Sequence, residues 1–263
     1  MSAADGSHTA DMTNADIRIA EAGYDWAQTA SSLLHTTSNR IIDESGRCVL
    51  ALSGGSTPKA LYDNLTTADW KSRLHWKQIH FVFGDERCVP PDHPESNFAM
   101  AQRALFHPLS IPPAHIYRMK GEAEDPVVAA QDYEQTLRQV TNCPSPVALP
   151  SIDLILLGLG DDGHTASLFP QSPALDEVTK AVTVTHSPKG IPRRLTLTLG
   201  VINRATVVVF LVSGGTKAST VRSILEPQST AERVLPAARV APQSGQVIWM
   251  LDHHAGSQLS RRP

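Results

Sequence analysis

A histidine flanked by acidic residues and glycines is the strongest candidate for chemistry in this chain. His164 lies in the segment GLGDDGHTASLFP (158–170), directly after an apolar run. An imidazole can accept a proton near neutral pH, and a nearby carboxylate such as that of Asp162 can fix its tautomer. The segment also contains a formal GxGxxG pattern, but Asp161 and Asp162 would put two negative charges where a dinucleotide pyrophosphate lies. We therefore interpret it as a proton-transfer site, the alternative being a purely structural histidine.

Two glycine-rich segments are candidates for anion binding. SGGSTP at 53–58 and SGGTKA at 213–218 each follow an apolar run. Glycines let the backbone approach a ligand closely, and free N–H groups and hydroxyls at a helix start suit a phosphate. The first segment has neither P-loop spacing nor the GxSxG order of a nucleophile elbow. A capped turn, with a solvated lysine in the second segment, is the alternative. The candidate binding residues are Gly54, Gly55, Ser56, Thr57 and Lys217.

A fourth polar segment, GDERCVP at 84–90, also follows an apolar run directly. Asp85 and Arg87 there are suited to hold sugar hydroxyls or a developing charge, although a surface ion-pair cluster is the alternative. The Arg193–Arg194 pair precedes the run LTLT and is a candidate to add positive charge to the same site as Lys217. Together these segments supply a proton acceptor, carboxylates and cations, and all of them except the arginine pair follow apolar runs.

The apolar pattern of the sequence predicts the strands and helices that carry these segments. Near-continuous apolar runs predict strands of a parallel sheet covered on both faces, at Val49–Leu52, Ile79–Phe83, Ile152–Leu157, Val207–Val212 and Val247–Leu251. Helical periodicity lies between them: Trp26, Ala30, Leu33, Leu34 and Ile41 share one face, and Val127, Ala130, Leu137 and Val140 share another. This alternation predicts an α/β fold, a three-layer αβα sandwich with a mostly parallel sheet. In such folds ligands bind beyond the carboxyl ends of the strands.

Composition and charge exclude several classes of protein. The 263 residues carry a net charge of −3, so no basic excess is present to bind nucleic acid. No apolar run approaches the roughly 20 residues that span a bilayer, and the N-terminus lacks the pattern of a signal peptide. We therefore expect a cytoplasmic protein with no membrane or nucleic-acid partner. Its organisation is predicted as a disordered segment at 1–14, one domain at 15–257 and a flexible tail at 258–263.

No metal or other cofactor is expected from the sequence. Cys48, Cys88 and Cys143 are far apart and match no zinc spacing, so we interpret them as reduced thiols. The His253–His254 pair has no third ligand at a sensible spacing and is predicted to be solvated surface.

These segments together resemble the 6-phosphogluconolactonase family of the pentose phosphate pathway. The matching stretches run in family order through most of the chain: LSGGSTP at 52–58, FGDERCVPPDHPESN at 83–97, GLGDDGHTASLFP at 158–170, RRLTLTLGVINRA at 193–205 and LVSGGTKA at 211–218. The resemblance implies a fold shared with glucosamine-6-phosphate deaminase and ribose-5-phosphate isomerase. It also implies hydrolysis of a sugar-phosphate lactone, by a monomer or a small homo-oligomer.

Residue roles follow from this resemblance. His164 would be the general base that activates water, and Asp162 would orient it. Arg87 would stabilise the oxyanion or bind hydroxyls, and Asp85 would also contact the substrate. Arg194 is preferred to Arg193 as the family arginine because it directly precedes LTLT. The phosphate would be held by Gly54, Gly55, Ser56, Thr57, Arg194 and Lys217.

Two other functions compete with this interpretation. A glucosamine-6-phosphate deaminase or sugar-phosphate isomerase would share the fold, but the related deaminases carry a glutamate five residues beyond the histidine. This chain has Phe169 at that position, and a phenyl ring can neither give nor take a proton. A sugar-phosphate-sensing regulator would need a DNA-binding segment, and the sequence has neither a helix-turn-helix region nor a basic patch. We therefore favour the lactonase.

Overall fold

The computed structural model describes residues 15–21, 25–145 and 147–260. Within these ranges nine strands form two sheets: β1 (Asp16–Ile19), β2 (Cys48–Leu52), β3 (Ile79–Phe83), β4 (Asp85–Arg87), β5 (Leu154–Leu157), β6 (Val182–His186), β7 (Arg193–Leu197), β8 (Val207–Val212) and β9 (Gln246–Leu251). Six of them make an all-parallel central sheet in the order β1-β9-β8-β5-β2-β3. The expected α/β fold with a mostly parallel sheet is confirmed.

The apolar runs became the strands of this sheet because both of its faces are covered. Every residue of β2, β5 and β8 is buried, which fits their almost unbroken apolar sequences. All five predicted strands are present: two have the predicted bounds, and the other three begin one or two residues away from them. β5 begins two residues late because the Asp153 carboxylate, rather than a strand partner, accepts the Val49 N–H at 2.7 Å.

Helices pack around the sheet, at α1 (Trp26–Ser45), α2 (Ser56–Leu65), α3 (Ala68–Lys71), α4 (Asn97–Ala101), α5 (His107–Leu109), α6 (Pro126–Val140), α7 (Leu199–Ile202), α8 (Ala218–Leu225) and α9 (Thr230–Arg233). The predicted apolar face of α1 is buried throughout. In α6 the prediction for Val127 is wrong, since this residue is 49% exposed. Successive residues turn by about 100°, so Val127 falls outside the face formed by Ala130, Leu137 and Val140.

The strand order places a topological switch point between β2 and β5. From β2 the chain adds β3 on one side, whereas β5 is followed by β8 and β9 on the other. The loops after β2 and β5 therefore leave the sheet on opposite sides of a crevice, which is where ligands bind in open α/β sheets. These are the loops with the glycine-rich segment at 53–58 and the histidine segment at 158–170.

A small antiparallel sheet, in the order β4-β7-β6, forms the opposite wall of that crevice. It grows directly out of the central sheet because only Gly84 separates β3 from β4. The Gly84 N–H donates to the Leu52 carbonyl at 2.9 Å, and its own carbonyl accepts from the Leu197 N–H at 2.8 Å. The three strands were not predicted, since β4 consists of the polar residues DER.

The chain ends are only partly described. The expected disorder of residues 1–14 lies outside the described residues, as does the end of the predicted tail at 261–263. Leu259 is buried, and the Ser260 N–H donates to Glu226 Oε1 at 2.8 Å. Across the described ranges, no helix is both long and apolar enough to cross a membrane.

Candidate active site

A cleft of about 660 Å³ opens at the switch point, between the two sheets. It brings together residues from all four loops that the sequence singled out. All ten predicted site residues line it: Gly54, Gly55, Ser56, Thr57, Asp85, Arg87, Asp162, His164, Arg194 and Lys217. The cleft is therefore the place to test their predicted roles.

His164 and Asp162 form a hydrogen-bonded pair at the edge of the cleft. The imidazole Nδ1 lies 2.5 Å from Asp162 Oδ1, and the His164 backbone N–H donates to the same oxygen at 3.1 Å. Burial raises the pKa of Asp162, but the hydrogen bonds and charge of His164 outweigh this and leave that pKa below its usual value. With the carboxylate ionised, Nδ1 donates its proton to it, and Nε2 remains as the basic nitrogen.

The backbone of this loop is shaped around the imidazole. A Cβ at Gly160 would lie 2.0 Å from His164 Nδ1 and 2.7 Å from Asp162 Oδ1, so only glycine lets the ring occupy this position. Gly163 has a φ of 80°, which reverses the chain just before the histidine. On its other side the imidazole meets the Phe169 ring, with centroids 4.7 Å apart. The loop therefore fixes the ring before any ligand binds.

Two guanidinium groups without carboxylate partners lie together at the cleft. Arg87 on β4 pairs with Arg194 on β7 in the antiparallel register. Arg194 is 7% exposed, and burial together with the charge of Arg87 lowers the pKa of its guanidinium. Within the described residues neither arginine forms a salt bridge, and the Nε of Arg87 is buried without a partner. Each guanidinium also donates to a backbone carbonyl, Arg87 to that of Glu95 and Arg194 to that of Ile191, and an anion placed between them would add the ion pair that both lack.

The structure also separates the two candidate arginines at 193 and 194. Arg194 is buried against the cleft, and its Nε donates to the Ile191 carbonyl at 2.7 Å. Arg193, the preceding residue on β7, is exposed and does not line the cleft. Alternation along the strand therefore directs only Arg194 toward the cleft, as the sequence interpretation preferred.

Asp85 has protein partners on both carboxylate oxygens. Ser167 Oγ donates to Oδ2 at 2.6 Å, and Asn97 Nδ2 donates to Oδ1 at 3.0 Å. Ser167 and Asn97 also line the cleft, and sequence reasoning did not single them out, although both lie within the matching motifs. Asn97 lies so close to Gly54 that a Cβ there would be 1.8 Å from its Oδ1. Asp85 therefore joins the two walls of the cleft.

Glu86, between Asp85 and Arg87, points to the other face of β4. Its carboxylate is buried and accepts the backbone N–H groups of Asn97 and Phe98, at 2.7 and 2.8 Å. Burial raises its pKa, and these hydrogen bonds partly offset that shift. Glu86 thus holds the first residues of α4, including Asn97, against the cleft wall.

The glycine-rich loop after β2 leads into α2 with free N–H groups. Gly55, at the N-cap with a φ of 103°, offers no side chain to cap the helix. The first N–H groups of α2 are therefore available to an anion. Thr57 Oγ1 lies 2.8 Å from Ser213 Oγ, which ties this loop to the second glycine-rich segment. That segment is fixed in turn because Gly214 N–H donates to Asp252 Oδ2 at 2.8 Å.

Two lysines complete the positive charge of the cleft. Lys217 lies at the start of α8, and its Nζ is 2.6 Å from Asp161 Oδ1. Lys189, in the turn between β6 and β7, lines the same cleft and was missed because that turn follows no predicted strand. The segment SPK at 187–189, close before the arginine pair, was the available signal.

The arrangement combines one basic nitrogen with a wall that carries two arginines without salt-bridge partners among the described residues. It can therefore activate a water molecule beside a carbonyl group and stabilise an anionic substrate. In the described part of the chain, no group of three or more His, Cys, Asp or Glu side chains is placed to hold a metal ion. Among the same residues Cys48, Cys88 and Cys143 are free thiols.

Comparison with known proteins places this geometry in a family. The family model described as glucosamine-6-phosphate isomerases/6-phosphogluconolactonase matches residues 22–249. A 6-phosphogluconolactonase from Synechocystis sp. is 45% identical over 224 residues, covering 85% of this chain and 90% of that protein. The structure of 6-phosphogluconolactonase from Trypanosoma brucei is similar with a TM-score of 0.77 and 27% identity, covering 94% of this chain and 99% of that one. A monomeric glucosamine-6-phosphate deaminase shares the fold, with a TM-score of 0.76 and 22% identity. The similarity covers 93% of this chain and 100% of the deaminase chain.

Proposed function

The chain belongs to the glucosamine-6-phosphate isomerase/6-phosphogluconolactonase family, and from this premise we propose the reaction that its cleft performs. It hydrolyses 6-phospho-D-glucono-1,5-lactone to 6-phospho-D-gluconate, the second step of the oxidative pentose phosphate pathway. The 6-phosphogluconolactonases from Synechocystis sp. and Nostoc sp., at 45% and 40% identity, support this assignment. The observation that carries it is the pairing of the His164–Asp162 dyad with a cationic wall in one cleft.

The chemical step needs one activated water molecule. Nε2 of His164 takes a proton from water as the water oxygen attacks C1, and ionised Asp162 stabilises the imidazolium that forms. The negative charge that develops on the carbonyl oxygen is stabilised by Arg87, whose guanidinium has no carboxylate partner within the described ranges. The bond from C1 to the ring oxygen then breaks, and the imidazolium returns a proton to that oxygen. No covalent nucleophile and no metal enter this scheme.

The phosphoryl group is bound by the start of α2, by Arg194 beside Arg87, and by Lys217, which together are called the phosphate end of the cleft. The N–H groups at the start of α2, with Gly54, Gly55, Ser56 and Thr57, offer hydrogen-bond donors, and Arg194 and Lys217 offer positive charge. Asp85 orients Ser167 and Asn97, which line the same cleft. Binding at the phosphate end fixes the lactone carbonyl relative to His164.

Lys217→Ala is expected to weaken substrate binding more than it slows the chemical step. A phosphate remote from C1 is held similarly in the ground and transition states, so its loss raises KM with a smaller change in kcat. Steady-state kinetics of the variant and the wild type measure this. Equal losses in kcat and kcat/KM at unchanged KM would instead place Lys217 in the chemical step.

The main alternative on this fold is deamination of glucosamine 6-phosphate. That reaction must open the ring and move a proton between C1 and C2, which calls for several proton-transfer groups. Here the ring of Phe169, 6% exposed, packs beside His164 where such a group would be needed.

The proposal is tested by assaying acid release from the lactone and ammonia release from glucosamine 6-phosphate, both in a buffer with chelator. Ammonia release at a comparable rate, or lactone hydrolysis that a divalent ion must restore, would count against it.

The setting of the enzyme is proposed on the same basis. We expect it to act in the cytoplasm as a monomer or small homo-oligomer, with a small-molecule sugar phosphate as its partner.

A further inference from the structure

Asp161 forms an ion pair with the lysine of the phosphate end. Its Oδ1 lies 2.6 Å from Lys217 Nζ, and its backbone carbonyl accepts from Thr220 Oγ1 at 2.9 Å. Thr220 belongs to α8, which begins directly after Lys217. The loop that carries the His164–Asp162 dyad is therefore tied at Asp161 to the lysine and to the helix behind it.

This pair distinguishes Lys217 from the other cations of the cleft. In the ranges that the structure describes, Arg87, Arg194 and Lys189 form no salt bridge, whereas the charge of Lys217 is already balanced. Asp161 is accessible, with 76% of its side chain exposed, and Lys217 is 23% exposed. An exposed pair of this kind is weakly stabilising, so a competing anion can take the lysine from the carboxylate.

We propose that Asp161 is a resident counter-ion of the phosphate subsite, holding Lys217 until the dianionic phosphoryl group of the substrate displaces it. The inference rests on the proposed function, because it takes Lys217 to bind that phosphoryl group. Asp161 lies one residue from Asp162 but has no part in the chemical step, and it determines anion affinity chiefly through Lys217, its hydrogen-bonded partner.

The consequence concerns free anions in particular. Any anion that binds Lys217 must first break its ion pair with Asp161 and so loses the attraction between these two charges. The substrate offsets this cost with its sugar contacts along the rest of the cleft. Inorganic phosphate has no such contacts, so Asp161 keeps its affinity low and leaves the cleft open to the substrate.

The test is Asp161→Asn, which keeps the size of the side chain and removes its charge. With inorganic phosphate as the probe, we expect the competitive inhibition constant to fall about 3- to 10-fold, KM to fall by a similar or smaller factor, and kcat to change least. Asp63→Asn is the matched control. It removes the same charge from a 2.6 Å ion pair with Lys59, exposed on α2 and outside the cleft, and should leave the phosphate constant unchanged.

A double-mutant cycle identifies the mechanism. In a Lys217→Ala background, Asp161→Asn is expected to give no further gain in phosphate affinity, because the pair is already absent. Calorimetric titration measures the dissociation constant of inorganic phosphate for every variant and does not require catalysis. A wild-type protein that binds phosphate but does not hydrolyse the lactone would therefore contradict the proposed function without deciding the role of Asp161. An unchanged or weaker phosphate affinity in Asp161→Asn, or a gain that persists without Lys217, would overturn the counter-ion role. Asp161→Ser repeats the test if the asparagine variant is poorly folded.

Discussion

Replacing His164 with asparagine is expected to lower kcat by about 10²- to 10⁴-fold, the usual contribution of a general base. Asparagine keeps a polar side chain in the loop but has no nitrogen that accepts a proton near neutral pH. Because His164 is one-third exposed and its neighbours are held by backbone hydrogen bonds, the fold should survive the change. Steady-state kinetics and thermal unfolding of the purified variant measure both expectations.

The matched control is His107→Asn. His107 is an exposed residue of α5 and does not line the cleft. This variant makes the same chemical change elsewhere, so its kcat should equal that of the wild type. A folded His164→Asn enzyme with near-normal kcat would remove His164 from the role of general base.

Gly160→Ala is expected to lower kcat by roughly 10²-fold or more, although the substitution adds a single methyl group. The new Cβ would lie 2.0 Å from His164 Nδ1 and 2.2 Å from its Cε1, so the imidazole must leave its position beside Asp162. Misplacing a catalytic group by about 1 Å can cost about 10²-fold in rate. The measurement is kcat, with the thermal unfolding midpoint as the check on folding.

Gly158→Ala, in the same loop, provides the comparison. A Cβ there would meet only Ser53 Oγ, at 3.6 Å, which is ordinary van der Waals contact. We expect this variant to keep most of the wild-type kcat. If both alanine variants lose activity equally, the loop as a whole is sensitive and the specific contact with His164 is not the cause.

The central sheet was predictable because its strands are apolar on both faces. The β8 segment VVVFLV has no polar residue to mark a solvent side, and all six residues are buried. Burial on both faces indicated a parallel sheet. The loops after these strands could then be assigned to one edge, which is why residues far apart in the sequence, such as Thr57 and Lys217, were expected in one site.

The antiparallel wall could not be predicted in the same way. β4 consists only of the residues DER, and two contacts outside the segment make it a strand. The single residue Gly84 joins it to β3, and β7 supplies its hydrogen-bond partners. Neither cause is local to the segment, so the polar residues were interpreted as a loop. Lys189 was missed for the same reason, since the turn that carries it depends on the pairing of β6 with β7. Tertiary pairing therefore placed the residues that local pattern did not.

The contacts between side chains within the site could not be predicted from the sequence. The motif predicted that Asp162 would orient His164, but their neighbour Asp161 gave no sign of its partner Lys217, 56 positions away. Likewise Asp85 was predicted as a substrate contact, and the structure shows Ser167 and Asn97 on its two oxygens. Such contacts depend on side-chain geometry, which residue type and spacing do not specify.

The activity assigned to the cleft is tested by the rate of lactone hydrolysis itself, measured on substrate generated in place by a dehydrogenase and corrected for spontaneous opening. We expect the wild-type protein to accelerate hydrolysis far above this background in the presence of a chelator. Under identical conditions His164→Asn should lose about 10²- to 10⁴-fold of that acceleration. A wild-type rate no higher than the spontaneous rate, from folded protein, would contradict the central claim.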